Sequence, residues 1–422
     1  MDKTLLKEIV LEQKEIIENV TLGVKREELE VVERYFKLPH SIIVSGIRRT
    51  GKSTLLSQII QRHYKDKFYY LSFEDERLLN FSLADFNQLY EVFLEVFGEK
   101  KVFFFDEIQN VAEWELFVRR MQEREFKFFI TGSNASLLSK ELGTRLTGRY
   151  VMLELFPFSF REFLRFKNVS AQNDKLLTVK DRAVVKRFFN EYLKNGGMPE
   201  YLKYDDETML KRVYEDILYR DIAARYEIKE IKALRELGLY FLSNIGTVFS
   251  YNNLKNVLGL GSGNTIKSYT EYLENSFLIF TINRFSYSLK QQFVANKKVY
   301  CIDNGLANAV AFQFSQNKGK FLENLVFMEL KRRFDEIFYY KTQKNLEVDF
   351  CVRDEKRNIM LFQVAQNLAS QKTREREIKS LLSAMEELKL SVGVILTEDE
   401  EEEIMVKRKK IVVKPVYKWL ME

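Results

Sequence analysis

Short apolar runs alternate with helical patterns over the first third of the chain. Strands are predicted at 41–45, 68–73, 102–105 and 126–131. Three of them contain uninterrupted apolar runs, at 42–44, 102–105 and 128–130, which is typical of strands buried on both faces. Residues 52–63 and 114–124 instead place their apolar side chains at helical spacing. Strands that alternate with helices predict a parallel sheet covered by helices on both sides.

The pattern changes after residue 155. An all-helical stretch comes first, then two short helices, a glycine-rich turn and two apolar strands, and finally a helix that leads into further strands. We therefore predict four domains, with boundaries at 1–155, 156–228, 229–318 and 319–422.

Composition excludes several classes of protein. The 422 residues contain two cysteines and two histidines, which excludes a disulfide scaffold, a cysteine-based zinc site and most histidine-dependent hydrolases. The sequence has no apolar run of about 18 residues and no amino-terminal signal pattern. We expect a cytoplasmic protein that does not engage a membrane.

The net charge of +6 is concentrated in one region. Lysines and arginines balance the acidic residues over 1–210 and over 321–422, whereas they outnumber them by 15 to 9 over 211–320. An uneven charge of this kind indicates a surface for an anionic partner.

A glycine-rich loop follows the first predicted strand. Residues 46–53 read Gly-Ile-Arg-Arg-Thr-Gly-Lys-Ser, a full match to the phosphate-binding pattern G-x-x-x-x-G-K-[ST] between a strand and a helix. The loop backbone would cradle phosphates, Lys52 would reach the β- and γ-phosphates, and Ser53 would ligate Mg²⁺. The predicted ATP-binding residues are Gly46, Arg49, Thr50, Gly51, Lys52, Ser53 and Thr54.

Two adjacent acids end the strand at 102–105. Asp106 would bind Mg²⁺ together with Ser53, while Glu107 would activate the attacking water as a general base. The alternative is an ordinary acidic turn. ATP and Mg²⁺ are accordingly the predicted substrate and cofactor.

Three further residues are candidates for the reaction itself. Asn134 follows the strand at 126–131, where its amide would bind water or the γ-phosphate, or would cap the next helix. Arg149, and after it Arg145, would neutralise charge in the transition state, or would pair with surface acids instead. An arginine acting between subunits requires a homo-oligomer, whereas one acting within its own chain does not.

Together these motifs resemble a large prokaryotic family of AAA-type P-loop ATPases whose carboxy-terminal module has no assigned function. The matching segments are 46–54, 105–110, 131–134, 146–149, 155–163, 196–200, 319–324 and 347–350. The resemblance implies an α/β fold with an AAA-type parallel sheet and a helical lid. It also implies that Asp106 and Glu107 are the Walker B pair and that Ser133 or Asn134 is the sensor.

The basic middle segment has the order of a winged helix-turn-helix, and the resembling family carries one here. Its second helix would place Asn264, Thr265, Lys267 and Ser268 in a DNA groove, with Arg284, Lys290, Lys297 and Lys298 on or near the wing. DNA contact through residues 249–300 is thus one hypothesis. The other is that the segment only packs domains together.

The last predicted domain resembles the restriction-endonuclease-like fold in a degenerate form. Glu323, Glu347 and Asp349 provide acids, but the E-x-K position of that fold reads Gln363-Val364-Ala365. An amide and a methyl group replace the carboxylate and the amine of the nuclease, so we expect no nuclease activity.

Two functions of different classes remain open from the sequence. The first is an ATPase whose hydrolysis rearranges the domains. The second is a slow nucleotide-dependent switch that captures DNA or protein, with incidental turnover.

Overall fold

The structure is a computed structural model that describes residues 1–133, 148–169, 178–259, 262–311 and 318–422. The chain divides into two compact units. Unit 1 comprises Met1–Phe156 with Asn275–Phe277, and unit 2 comprises Pro157–Glu274 with Leu278–Glu422.

Unit 1 is an α/β unit with five strands in its described residues. The strands are β1 Ser41–Ser45, β2 Tyr69–Ser72, β3 Val102–Asp106, β4 Lys127–Gly132 and β5 Tyr150–Glu154. The helices are α1 Lys3–Asn19, α2 Glu28–Glu33, α3 Lys52–Ile59, α4 Phe86–Phe97 and α5 Trp114–Gln122, with a π-helical turn at Ile60–Tyr64 and short 3₁₀ turns at Glu76–Leu78, Leu83–Asp85 and Ile108–Asn110.

The sheet of unit 1 is parallel, as the sequence pattern predicts. Its strand order is β2-β3-β4-β1-β5, and every adjacent pair is parallel. The alternation of apolar runs and helices predicts the first four strands, but it misses β5, whose side chains are only partly buried. Because all strands run the same way, the carboxyl ends of β1, β3 and β4 meet at one edge.

Aromatic side chains fill both faces of this sheet. Phe104 stacks on Phe129 at 4.6 Å between ring centroids on one face, and Phe103 stacks on Phe128 at 4.9 Å on the other. All four rings are fully buried. This burial on both faces explains why the strands read as continuous apolar runs.

Unit 2 begins with helices and continues into a mixed sheet. The helices are α6 Phe160–Phe166, α7 Val179–Asn195, α8 Pro199–Tyr204, α9 Glu207–Asp216 (followed by a π-helical turn at Ile217–Ala223), α10 Ile231–Ser243, α11 Tyr251–Val257, α12 Gly263–Asn275, α13 Leu289–Val294, α14 Asn304–Val310, α15 Lys318–Arg333, α16 Gln371–Glu387 and α17 Val416–Trp419. The strands are β6 Val248–Phe249, β7 Ile279–Arg284, β8 Lys297–Cys301, β9 Glu336–Lys341, β10 Glu347–Arg353, β11 Ile359–Val364, β12 Val392–Thr397, β13 Glu402–Val406 and β14 Lys409–Pro415.

One sheet joins the strands on both sides of the predicted boundary at 318/319. Its order in the described residues is β13-β14-β12-β11-β10-β9-β7-β8-β6, because β7 pairs in parallel with β9 through Asn283 and Arg284. The two short helices and the antiparallel β7–β8 pair therefore continue directly into the carboxy-terminal strands. The four-domain division stays a prediction.

The buried carboxylate of Asp303 packs against Gly196 and binds the N–H of Gly197. Asp303 accepts hydrogen bonds from the backbone N–H groups of Gly197 at 2.6 Å and Leu306 at 3.0 Å. A Cβ at Gly196 would lie 2.2 Å from a carboxylate oxygen of Asp303, so the chain needs glycine there. Burial raises the pKa of Asp303 to about 6, although these N–H groups lower it.

This pKa predicts a pH dependence of the stability of unit 2. The folded state binds the Asp303 proton more tightly than the unfolded chain, so the stabilisation is complete below about pH 4 and is lost as the pH rises to about 6. At about 1.4 kcal/mol per pKa unit, wild type should lose up to about 3 kcal/mol relative to Asp303→Asn over this range.

Denaturant unfolding measures this loss in a Trp114→Phe background, where Trp419 of unit 2 is the single tryptophan. Asp335→Asn, an exposed substitution in the same unit, should follow the wild-type pH profile. Parallel profiles for wild type and Asp303→Asn would contradict the prediction.

Candidate nucleotide-binding site

The loop after β1 curls over the start of α3. Arg49 and Gly51 have positive φ angles of 63° and 92°, and Thr50 between them is buried with its hydroxyl donating to the Ile47 carbonyl at 2.9 Å. Gly46 packs so tightly that a Cβ would lie 2.2 Å from the Leu155 carbonyl oxygen. This alternation of backbone conformations turns successive N–H groups toward one concavity, which suits an anion.

The Lys52 ammonium lies at the carboxyl edge of the sheet. It donates to the carbonyls of Gly46 at 3.2 Å and Ile47 at 3.3 Å, and it lies 3.3 Å from Oε1 of Glu107. Lys52 is buried, and Glu107 has a left-handed φ of 51° directly after β3. The structure thus brings together the loop lysine and the second acid that the sequence predicts.

Asp106 faces the hydroxyl of Ser53, the predicted metal-binding pair. Ser53 and Thr131 both hydrogen-bond to the Asp106 carboxylate. Burial raises the pKa of Asp106, and the adjacent Glu107 carboxylate raises it further. Burial acts in the same direction on Glu107, but the Lys52 ammonium, with the Gln109 amide, outweighs it and holds the pKa of Glu107 below its ordinary value.

Three further residues, to which the sequence analysis gave no role, complete this edge. Thr131 accepts the Glu107 backbone N–H at 3.0 Å, and Gln109 contacts both Glu107 and Ser133. The Tyr70 hydroxyl lies 3.4 Å from Asp106. Each is remote in sequence from the loop, and only Gln109 and Thr131, which lie within recognised motifs, offered a signal.

The structure does not bring Arg149 to the loop of its own chain. Its carbonyl accepts the Ser41 N–H at 3.0 Å, so it lies at the amino end of β1, opposite the loop. Its side chain is 52% exposed and lies 3.9 Å from Glu123. Asn134 and Arg145 lie outside the described residues. Arg49 lies on the loop, and Thr54 lies in the first turn of α3.

Three family profiles match consecutive parts of the chain. The AAA domain matches residues 39–164, a domain of unknown function (DUF8612) matches 186–317, and a second (DUF4143) matches 318–419.

Two curated relatives align with most of this chain. The uncharacterized protein MJ1544 of Methanocaldococcus jannaschii is 38% identical over 434 aligned positions, which cover 99% of this chain and 95% of the relative. The chain belongs to this AAA-domain family. An uncharacterized protein of Haemophilus influenzae is 34% identical, with 74% of this chain and 79% of the relative covered.

Two solved structures are similar at lower identity. The Walker-type ATPase PABY2304 of Pyrococcus abyssi is 15% identical, with 70% of this chain and 99% of that chain covered and a TM-score of 0.42. The ORC1 protein of Aeropyrum pernix in complex with DNA is 13% identical, with 72% and 95% covered and a TM-score of 0.33. Both likenesses are weak.

The AAA domain and the geometry of its loop support nucleotide binding. Among the described residues, no helix has the length and apolar character needed to cross a membrane.

A buried arginine ties the loop of the AAA domain to the end of its sheet. Arg26 donates to the Thr50 carbonyl and to the Phe156 carbonyl, both at 2.6 Å, and is 1% exposed. The guanidinium braces the loop, because a single planar group reaches both carbonyls at once.

A second charged cluster lies in unit 2 and surrounds Lys298. The sequence analysis placed Lys298 on or near the wing, available for DNA contact, but this residue is 2% exposed. Its ammonium lies 2.8 Å from Glu323, 3.1 Å from Glu347 and 3.0 Å from Asp349. Because its long side chain finds three carboxylates, it pairs with them rather than with solvent. Burial disfavours its charge, but Glu323 and its neighbours hold the pKa of Lys298 well above its ordinary value.

The Gln363 amide is also fully engaged beside this cluster. It accepts the Asp349 N–H at 3.2 Å and donates to Glu377 at 2.7 Å, while Asp349 also accepts the Val364 N–H at 2.9 Å. The Lys298 ammonium thus pairs with Glu323, Glu347 and Asp349, while the Gln363 amide donates to a different acid, Glu377. These contacts support a structural role for the cluster.

We predict that Arg26→Lys weakens ATP binding about tenfold or more, because one buried charge-assisted hydrogen bond to the loop or to Phe156 is lost. Equilibrium titration with a fluorescent ATP analogue measures the affinity. Lys25→Met, which removes an exposed neighbouring charge, should bind like wild type. Unchanged affinity in a folded Arg26→Lys protein would refute the bracing role.

We also predict that Lys298→Met lowers the stability of unit 2 by about 3–5 kcal/mol, because three carboxylates lose their counter-ion. Denaturant unfolding followed through Trp419 provides the value. Lys290→Met, an exposed substitution in the same unit, should change it by no more than about 0.5 kcal/mol. Equal effects of the two substitutions would show that the cluster does not stabilise the unit.

Proposed function

We propose that this protein is a magnesium-dependent ATPase. The observation that carries the proposal is the placement of Lys52, Ser53, Asp106 and Glu107 around one concave loop at the carboxyl edge of the sheet. The loop N–H groups and the Lys52 ammonium would bind the triphosphate.

The residues beside the loop fit a magnesium ion. Ser53 and Asp106 offer a hydroxyl and a carboxylate in mutual contact, and Mg²⁺ prefers such oxygen ligands. Bound there, the ion would neutralise charge on the phosphates. The second acid, Glu107, stays separate from this pair because Lys52 holds its carboxylate.

Glu107 is the proposed general base. Its lowered pKa keeps it ionised at neutral pH and so able to accept a proton from water. Gln109 adds a second polar group, since its buried Oε1 has no hydrogen-bond partner among the described residues. That oxygen would accept the other hydrogen of the water and orient it toward the γ-phosphate. Asn134 remains a proposed sensor.

Arg149 lies at the amino end of β1, away from the loop of its own chain. If Arg149 acts on the phosphates, it must therefore come from another chain. We therefore propose that Arg149 acts only in a homo-oligomer. Arg145 remains the second candidate.

DNA contact is the proposed second activity, through residues 249–300. In a winged-helix interpretation, α12 would enter a groove with the exposed Asn264 and Lys267, and β7 and β8 would form the wing. The carboxy-terminal strands would form a restriction-endonuclease-like domain without nuclease activity. ATP turnover would then regulate DNA binding, or turnover would be incidental to a slow switch; comparing steady-state ATPase activity with and without DNA distinguishes the two.

We predict that Lys52→Ala lowers ATP affinity about tenfold or more, because the buried ammonium is lost. Equilibrium titration measures this affinity, and Lys67→Ala, an exposed substitution in the same unit, should leave it unchanged. Wild-type affinity and turnover in Lys52→Ala would overturn the assignment of the loop.

We predict that Glu107→Gln slows ATP hydrolysis about 100-fold or more while ATP still binds, since the amide cannot accept the proton. Single-turnover release of phosphate measures the rate. The exposed Glu113→Gln should hydrolyse ATP at the wild-type rate. Wild-type turnover in Glu107→Gln would exclude Glu107 as the base.

A further inference from the structure

The segment between β7 and β8 exposes an unusual amount of apolar surface. Six large apolar side chains in the described residues are at least two-thirds exposed, and four of them lie within residues 287–294. They are Tyr287 at 81%, Leu289 at 67%, Phe293 at 79% and Val294 at 77%. Such a cluster marks a binding surface rather than chance exposure.

The surroundings of this cluster carry positive charge with little compensation. Residues 237–302 contain six lysines and arginines but only two acidic residues, and no acid lies between 275 and 302. Lys298 pairs with the buried acidic cluster. The others include the exposed Lys267 and Lys290, together with the half-buried Lys297, which lies near the Glu274 carboxylate. The partner of this surface is therefore anionic.

A cavity of about 480 Å³ opens beside α13. Phe293 and Tyr251 contribute rings to its lining, Asn264 contributes an amide, and Lys267 and Lys297 contribute ammonium groups. A flat aromatic face, amides and ammonium groups are the elements that bind an unpaired base together with its phosphate. A duplex offers no free base face for Phe293, because its bases stack on one another.

We propose that this surface, defined as Tyr251, Asn264, Lys267, Phe293 and Lys297, binds single-stranded DNA by stacking an unpaired base on Phe293. The proposal rests on the proposed DNA contact and specifies its form. Lys267 and Lys297 pair with the phosphates, and the exposed ring of Phe293 distinguishes single strands from duplexes.

Fluorescence anisotropy of the full chain with a labelled 20-nucleotide single strand and with the matching duplex tests the proposal. At 50 mM salt, wild type should bind the single strand more tightly. Phe293→Ala should weaken single-strand binding about tenfold, since stacking contributes about 1–3 kcal/mol per base. Phe293→Trp should restore it. Leu289→Ala removes an exposed apolar side chain that cannot stack, and it should bind within about twofold of wild type.

Lys267→Glu separates this proposal from the general DNA contact. It should weaken the binding of single strand and duplex alike and reduce the salt dependence of both. Duplex binding that is lost in Lys267→Glu but unchanged in Phe293→Ala, without a preference for single strands, would overturn the stacking proposal and leave DNA contact standing. Absence of binding to either DNA would overturn both.

Two other partners could use an apolar, basic surface, and each would overturn the proposal. Vesicles that contain anionic lipid, bound by wild type but not by Phe293→Ala, would identify a membrane surface. Sedimentation that shows a dimer lost in Phe293→Ala, with DNA binding unchanged, would identify a contact between copies of the chain. Because the Phe293 side chain is highly exposed, we expect Phe293→Ala to fold like wild type. Circular dichroism checks the fold of the variant.

Discussion

The contact between Lys52 and Glu107 is the interaction on which the nucleotide site depends. Two buried opposite charges lie 3.3 Å apart at the point where β1 and β3 end. Removing charge from water is costly, so such a pair persists only where hydrogen bonds complete it. The carbonyls of Gly46 and Ile47 do this for the lysine, and Gln109 does so for the acid. Parallel strand pairing brings all of these groups to one edge.

The same constraint explains why the two adjacent acids, Asp106 and Glu107, make different contacts. Asp106 ends a strand in extended conformation and contacts Ser53 and Thr131, whereas the left-handed backbone of Glu107 turns its side chain to Lys52. Burial, together with the adjacent Glu107 carboxylate, raises the pKa of Asp106, whereas Lys52 outweighs burial and lowers the pKa of Glu107. The two acids therefore differ in their pKa values as well as in their contacts.

Unit 2 also contains a lysine paired with carboxylates, but its surroundings differ from those of Lys52. Around Lys52 the groups border a concave loop that can accept an anion, whereas Lys298 is surrounded by Glu323, Glu347 and Asp349. The lysine links β8 to α15 and β10, so β8 is fastened to the carboxy-terminal strands. The charge of Lys298, which a sequence count would assign to the surface, is therefore internal. The apolar exposure of α13 is the distinctive property of the segment between β7 and β8.

Much of unit 1 could be predicted from the sequence alone. Continuous apolar runs indicate β1, β3 and β4, and the pattern of residues 46–53 indicates the phosphate loop, because both depend on local backbone and burial requirements. The partly buried β5 carried no such pattern.

Contacts between distant residues required the tertiary structure. Arg26 meets Thr50 and Phe156, Arg149 lies away from the loop, and Lys298 finds Asp349 across 51 positions of sequence. The sequence alone does not distinguish a charged side chain that faces solvent from one that faces a phosphate or a buried carboxylate. Its partner is chosen by the path of the chain, and that path decides which lysines and arginines remain available for function.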